Sequence, residues 1–179
     1  MQQAVLENDV RSAQWRARTL STAADPALAF AALSAQLVEL EALYQREPGD
    51  ARVLGLLDRG YRLLAHGFIQ LRYLEAVAAG DLASAAREEQ LRADAEARAR
   101  YYRDRSGARA AARAPLAVES DFAEAEAACG RHDSATYHAR LNALLTAPEE
   151  RPEQRLERVL SRRLASSWLM PNVAARCKF

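Results

Sequence analysis

Residues that favour β-structure are what this 179-residue chain has least of. β-branched side chains are few, and no stretch alternates apolar with polar positions, so strands have little support. Glycine and proline are scarce as well, at 7 and 6 copies, which leaves a small number of breaks to read. Lysine is almost missing: the 25 basic residues are 24 arginines and Lys178. That bias fits GC-rich coding or selection for bidentate anion contacts. Net charge is only +1, so no global basic excess points to nucleic acid. No apolar run is expected to reach the ~20 residues that span a bilayer. No apolar leader follows Met1, since Glu7, Asn8 and Asp9 come early. The sequence therefore predicts a protein that is cytoplasmic or shown without its leader.

Catalytic signatures are missing too. There is no phosphate-binding glycine loop, no nucleophile elbow and no H-E-x-x-H. None of the three histidines has a glutamate three positions before it, as a carboxylate-bridged di-metal bundle requires. Cys129, His132 and Asp133, with His138 nearby, form the one metal-like grouping, and no second pair completes a tetrahedral site. The expectation is a binding protein, not an enzyme, with no cofactor and no metal.

What the chain does have is helix-forming sequence. Half its residues are hydrophobic, and alanine, leucine, arginine and glutamate dominate. Breaks fall at Ser21–Pro26, Pro48–Asp50, Gly80–Asp81, Gly107–Pro115, Gly130–Asp133, Pro148–Pro152 and Pro171. Asp25 reads as an N-cap with Pro26 at the first helical position, and Asp81 as another cap. Seven helices follow, at about 3–20, 26–46, 51–79, 82–106, 116–129, 133–146 and 152–169. Connections are short, so neighbours should pack antiparallel in one domain over 1–179.

The third helix, ~44 Å long at ~1.5 Å per residue, carries two apolar stripes. Leu54, Leu57, Tyr61, Leu64, Phe68 and Leu71 form one; Val53, Leu56, Gly60, Leu63 and Gly67 form the other. Two covered faces place it inside an array. Gly60 and Gly67 imply close approach by a neighbouring helix or a ligand. The fourth helix sets Glu88 before Arg92, Asp94 before Arg98 and Glu96 before Arg100, the order that favours exposed pairs. Its buried side is expected at Leu82, Ala85, Ala86, Leu91 and Tyr102. Pro48–Ala51, Gly80–Leu82 and Ala85 suggest tetratricopeptide-type helix pairs with one pair lengthened. The expected fold class is all-α: a short array of antiparallel, tetratricopeptide-like helix pairs.

Some of these marks resemble one family. Asp25-Pro26, Pro48-Gly49-Asp50, Leu54, Leu57, Tyr61 and Ala65-His66-Gly67-Phe68 look like the T component (TatT) of tripartite ATP-independent periplasmic (TRAP) transporters. So do Tyr101-Tyr102-Arg103 within Glu96–Arg105, and Arg162-Arg163-Leu164-Ala165 with Trp168-Leu169 and Phe179. The resemblance covers about 20–105 and 160–179. Residues 108–158 depart from it, being alanine-rich and low in aromatics to line a groove. It implies a periplasmic or lipid-anchored accessory protein, trimeric, bound to the solute-binding P component, with a cleft for small, partly apolar ligands. A general tetratricopeptide-like adaptor is the alternative.

Candidate sites follow. Tyr61, His66, Phe68, Tyr73, Tyr101 and Tyr102 would line a ligand cleft, or else serve as core. His66 would donate to a ligand carboxylate, assisted by Arg62 and Arg72. Arg98, Arg100, Arg103 and Arg105, continuing to Arg109 and Arg113, form a basic patch for an acidic partner, or else a solvated helix end. A Cys129–Cys177 bond would fit an oxidising periplasm.

Overall fold

The computed structural model describes residues 2–107, 116–148 and 151–179, the side chains of 2, 3 and 121 apart. The protein is 86% helical, and no strand occurs among the described residues. Helices α1 (Gln2–Ser21) and α2 (Pro26–Arg46) come first. The long third helix divides into α3 (Ala51–Arg62), a π-helical segment (Leu63–Ile69) and α4 (Gln70–Ala79). Then come α5 (Leu82–Arg105), α6 (Ala117–Gly130), α7 (Ser134–Thr146), a 3-10 turn (Pro152–Gln154) and α8 (Arg155–Trp168). The short α9 (Pro171–Ala174) and a 3-10 turn (Ala175–Cys177) close the described chain.

Local chemistry sets the starts of these helices. Asp25 accepts from the backbone N–H groups of Ala27 (2.8 Å) and Leu28 (3.4 Å), with Pro26 in the first turn, where its missing N–H costs nothing. Asp50, Asp81 and Asp133 cap α3, α5 and α7 in the same way. Gly80 ends α4 at φ 75°, the left-handed conformation that a Cβ disfavours.

The long third helix runs through the middle of the array, touching α1, α2, α5, α6 and α8. Val53, Leu54, Leu57, Tyr61, Leu63, Phe68 and Leu71 are buried along it, and Leu56 and Leu64 are partly buried against the same core. Its glycines admit neighbours, as their spacing predicts. A Cβ on Gly60 would stand 2.9 Å from Leu37 of α2, and one on Gly67 would stand 2.9 Å from Leu160 of α8. The π-helical segment is new: Gln70 N–H reaches back to Ala65 O, five residues away. Such wide turns are frequent at functional sites.

Three expectations change. In α5, Leu82 and Leu91 are exposed at 77% and 42%, and Ala86 is exposed as well. Ala85, Ala95, Ala99 and Tyr102 form the buried side instead, because small residues let α5 lie against α3 and α4. The ion pairs of α5 also differ from those expected: two reach other helices, and Arg92 pairs four residues forward instead of back to Glu88. Glu88 pairs across to Arg72 (3.1 Å), Arg98 to Glu41 (3.3 Å), and Arg92 to Glu96 (3.5 Å). Lastly, α2 is long and apolar enough by composition to cross a membrane, with a mean hydropathy of 1.3. Its Ala29, Leu33, Leu37, Leu40 and Leu43 pack inward, and core helices pass the same test.

Helix α8 ties the two halves together. Leu156, Leu160, Leu164 and Ala165 are essentially inaccessible, and the helix touches α1, α2, α4, the π-helical segment, α6 and α7. Beyond it, Cys177 is joined to Cys129 of α6 by a disulfide with a Cα–Cα distance of 4.8 Å.

Candidate functional site

Asp58, Arg62, His66 and Gln70 recur every four residues along the long third helix. At ~100° per residue an α-helix carries such a stripe off line by ~40° per step. The wider π turn rotates less per residue, which draws His66 and Gln70 back into line with Arg62. The stripe begins in a buried ion network. Arg62, 5% exposed, sits 3.3 Å from Asp58 and 2.6 Å from Glu119 of α6. Glu119 also accepts from Leu116 N–H at 3.0 Å, and Glu157 of α8 accepts from Ala117 N–H at 2.6 Å while pairing with Arg59 at 2.5 Å. A partly buried carboxylate, Glu119, and a buried one, Glu157, thus satisfy two open N–H groups at the start of α6.

Beyond Arg62 the stripe opens into a cavity of about 300 Å³, lined by His66, Gln70, Arg92, Val118, Glu119, Phe122, Glu126, Leu164 and Trp168. These residues come from the π-helical segment and its exit, α5, α6 and α8. Val118, Phe122, Leu164 and Trp168 give it an apolar wall, with the Phe122 and Trp168 rings 6.2 Å apart. Trp168 is fixed from behind, because Tyr137 donates to its carbonyl oxygen at 2.6 Å. An apolar wall with a few converging polar groups is the usual form of a small-molecule site.

The polar side has a definite electrostatic order. His66 lies between two carboxylates, with Nε2 3.6 Å from Glu119 and Nδ1 4.0 Å from Glu96. Arg92 leans on Glu96, and its Nε is buried without a hydrogen bond. The side-chain oxygen of Gln70 is likewise buried without a partner. Glu126 is exposed by surface area and makes no hydrogen bond or ion pair among the described residues. Desolvation pushes its carboxyl pKa up; His66 and Arg92 oppose this, and Glu96 adds to it. No three His, Cys, Asp or Glu among the described residues converge as metal ligands. No serine, threonine or cysteine lines the cavity.

The six residues expected to share a cleft are not brought together. Only His66 lines the cavity. Phe68 packs into the core, its ring 5.5 Å from Phe30. Tyr73 turns toward the chain end, where Arg176 donates to its hydroxyl. Tyr61, Tyr101 and Tyr102 join Tyr44 in a separate cluster around Glu41. Tyr61 and Tyr102 donate to Glu41 at 2.7 and 2.5 Å, their rings stack at 5.9 Å, and Tyr44 and Tyr101 hydroxyls meet at 2.9 Å. Of the expected helpers of His66, Arg62 acts through Glu119, whereas Arg72 lies over Phe30, away from the cavity.

The basic patch is partly spent on this tyrosine cluster. Arg98 binds Glu41 and the Tyr61 hydroxyl, and Arg105 lies over the Tyr44 and Tyr101 rings. Arg103 approaches Asp104 at 3.7 Å, and Arg100 is exposed. Arg109 and Arg113 lie outside the described residues. Gln70, Arg92, Glu119, Phe122 and Glu126 were not singled out by sequence. Residues 108–158 are low in aromatics, and of the two they hold, Phe122 lines the cavity. The four-residue polar stripe was the one signal that pointed toward the cavity.

The chain matches no family model, no curated protein and no solved structure.

Proposed function

We propose that the protein is a non-enzymatic binding component of an extracytoplasmic solute system, holding a small, partly apolar molecule in the His66 cavity. The cavity carries this reading. It pairs an aromatic wall with buried polar atoms that lack partners, and such atoms are costly to leave unsatisfied. The Cys129–Cys177 bond supports an oxidising compartment such as the periplasm. The motifs that resemble TRAP T components supply the context. In that reading the protein is an accessory component of a TRAP-type transporter, its partner is the solute-binding P component, and it assembles as a homo-oligomer, a trimer in the family. Any membrane attachment would come through a lipid anchor outside this chain.

The tetratricopeptide-like adaptor remains the second reading, favoured by one observation. An apolar groove of about 390 Å³ lies between α1 and α2, where Trp15 and Leu28 are exposed at 66% and 70%.

Native mass spectrometry of protein purified from its source separates these readings. The transport reading expects a small-molecule adduct, lost in a Val118→Trp variant that fills the cavity, together with a discrete oligomer. A monomer that never carries an adduct would count against it and favour the adaptor.

A further inference from the structure

The charge inside the cavity selects among ligands, an argument that rests on the cavity being a binding site. Arg62 is held by Asp58 and Glu119, and Arg92 by Glu96. Both arginines near the cavity are therefore matched by carboxylates. Glu126 stands on the solvent side of the wall and makes no hydrogen bond or salt bridge among the described residues, although His66 and Arg92 are near enough to act on its charge. Across the same space, the Gln70 side-chain oxygen is buried and unpaired. Two acceptors without donors thus face a cavity that His66, Arg92 and Glu119 also line, opposite an aromatic and aliphatic wall of Val118, Phe122, Leu164 and Trp168.

We propose that this cavity takes a primary ammonium group borne on a small aromatic or apolar body. The ammonium would donate to Glu126 and Gln70, and the body would lie against Phe122, Trp168, Val118 and Leu164. Two features favour that chemistry over others. A carboxylate ligand would meet Glu119 and Glu126 at close range, and like charges in a partly dry site repel strongly. A cation beside a tryptophan gains attraction from the ring face, and more so when water is excluded. His66 does not oppose the cation, because Glu119 and Glu96 flank it on both nitrogens. Arg92 Nε is the one unpaired donor in the lining, so an anionic probe belongs in the test.

The test uses the full chain with Trp15→Phe, which leaves Trp168 as the single tryptophan reporter. Fluorescence is titrated with 2-phenylethylammonium, 2-phenylethanol and 3-phenylpropionate, which differ mainly in head-group charge. The ammonium should bind at least about tenfold more tightly than either of the others, the scale of one charge-assisted hydrogen bond. Adding Glu126→Gln, with helicity checked by circular dichroism, should bring the ammonium to within about twofold of the alcohol. Phenylpropionate binding as tightly as the ammonium, or a preference that survives Glu126→Gln, overturns the assignment and leaves the cavity a binding site. The assignment also fails if no probe moves Trp168 fluorescence while source-purified protein still carries an adduct. If neither probes nor an adduct are found, the binding-site reading fails with it.

Discussion

Gly67 and Leu160 are packed so closely that a single methyl group would come between them: a Cβ on Gly67 would lie 2.9 Å from Leu160 Cδ1. This contact joins the π-helical segment to α8, and the cavity wall is built on both. Gly67→Ala gains ~1 kcal/mol of helix propensity but must displace an inaccessible leucine, at ~1–3 kcal/mol. The variant should lose roughly 1 kcal/mol or more in urea denaturation. Gly55, with nothing within 4 Å of its would-be Cβ, provides the control. Gly55→Ala should stabilise by up to ~1 kcal/mol. Equal responses at the two sites would show that the α8 contact is loose.

Arg62 is the cation on which two carboxylates depend. Arg62→Leu keeps much of its volume but removes the guanidinium that faces Asp58 and Glu119 at 3.3 and 2.6 Å in a largely buried setting. Breaking a buried pair in this way costs ~3–5 kcal/mol. We expect a loss of that size, and one well above that of Arg16→Leu, whose ion pair with Glu39 is half exposed. Similar small losses for both would mean that water reaches the Arg62 network.

The disulfide closes a loop across 48 residues. Loop-closure entropy gives it about 4 kcal/mol in the chain-entropy view. Reduction, or Cys129→Ser with Cys177→Ser, should lower the denaturation midpoint and release the chain end. There, His132 Nδ1 lies 2.6 Å from Cys177 O, and Phe179 packs 5.0 Å from the Tyr137 ring. Rapid proteolysis beyond Trp168 after reduction, with the remainder intact, is the expected pattern. A reduced protein indistinguishable from the oxidised one would show that the bond is not needed to hold this end.

Burial and the hydrogen bond to Glu41 push the Tyr61 hydroxyl up to about 12, and burial alone does the same for Tyr137. Tyr102 is raised for the same two reasons as Tyr61. Unfolded tyrosines ionise near pH ~10, so above that pH the unfolded chain loses protons first. Stability from these groups is therefore complete below pH ~10 and falls as pH rises toward about 12. Denaturation midpoints should hold between pH ~7 and ~9 and drop above ~10, less steeply in Tyr61→Phe. A flat profile to pH ~11 would mean that these hydroxyls are already solvated.

The parts of this structure that were legible in sequence are those decided locally. Asp25 and Asp81 cap their helices because a short acceptor and an N–H two or three residues away suffice. The 51–79 segment showed its two covered faces because apolar residues recur at helical steps, and its glycines announced close neighbours. The π turn was hidden: it answers to packing by α8, which lies about a hundred residues away in sequence. Two of the α5 partners were misread because long side chains reach other helices, Arg98 to Glu41 of α2 and Glu88 to Arg72 of α4. The tyrosines and His66 belong to a single candidate set in sequence, yet Tyr61, His66 and Tyr73 sit at different places along the third helix, and Tyr101 and Tyr102 lie on α5. Glu126 and Phe122 carry no local mark of function; only the fold sets them opposite Gln70.

The central claim is that the space beside the π turn holds a small molecule. Nuclear magnetic resonance of the ¹⁵N-labelled protein tests it directly, through the indole N–H of Trp168 and the side-chain amide of Gln70. On adding the co-purified molecule or 2-phenylethylammonium, these two signals should shift together and saturate, while the exposed Trp15 indole stays in place. Shifts confined to Trp15, or a Trp168 signal that never moves, would contradict the account.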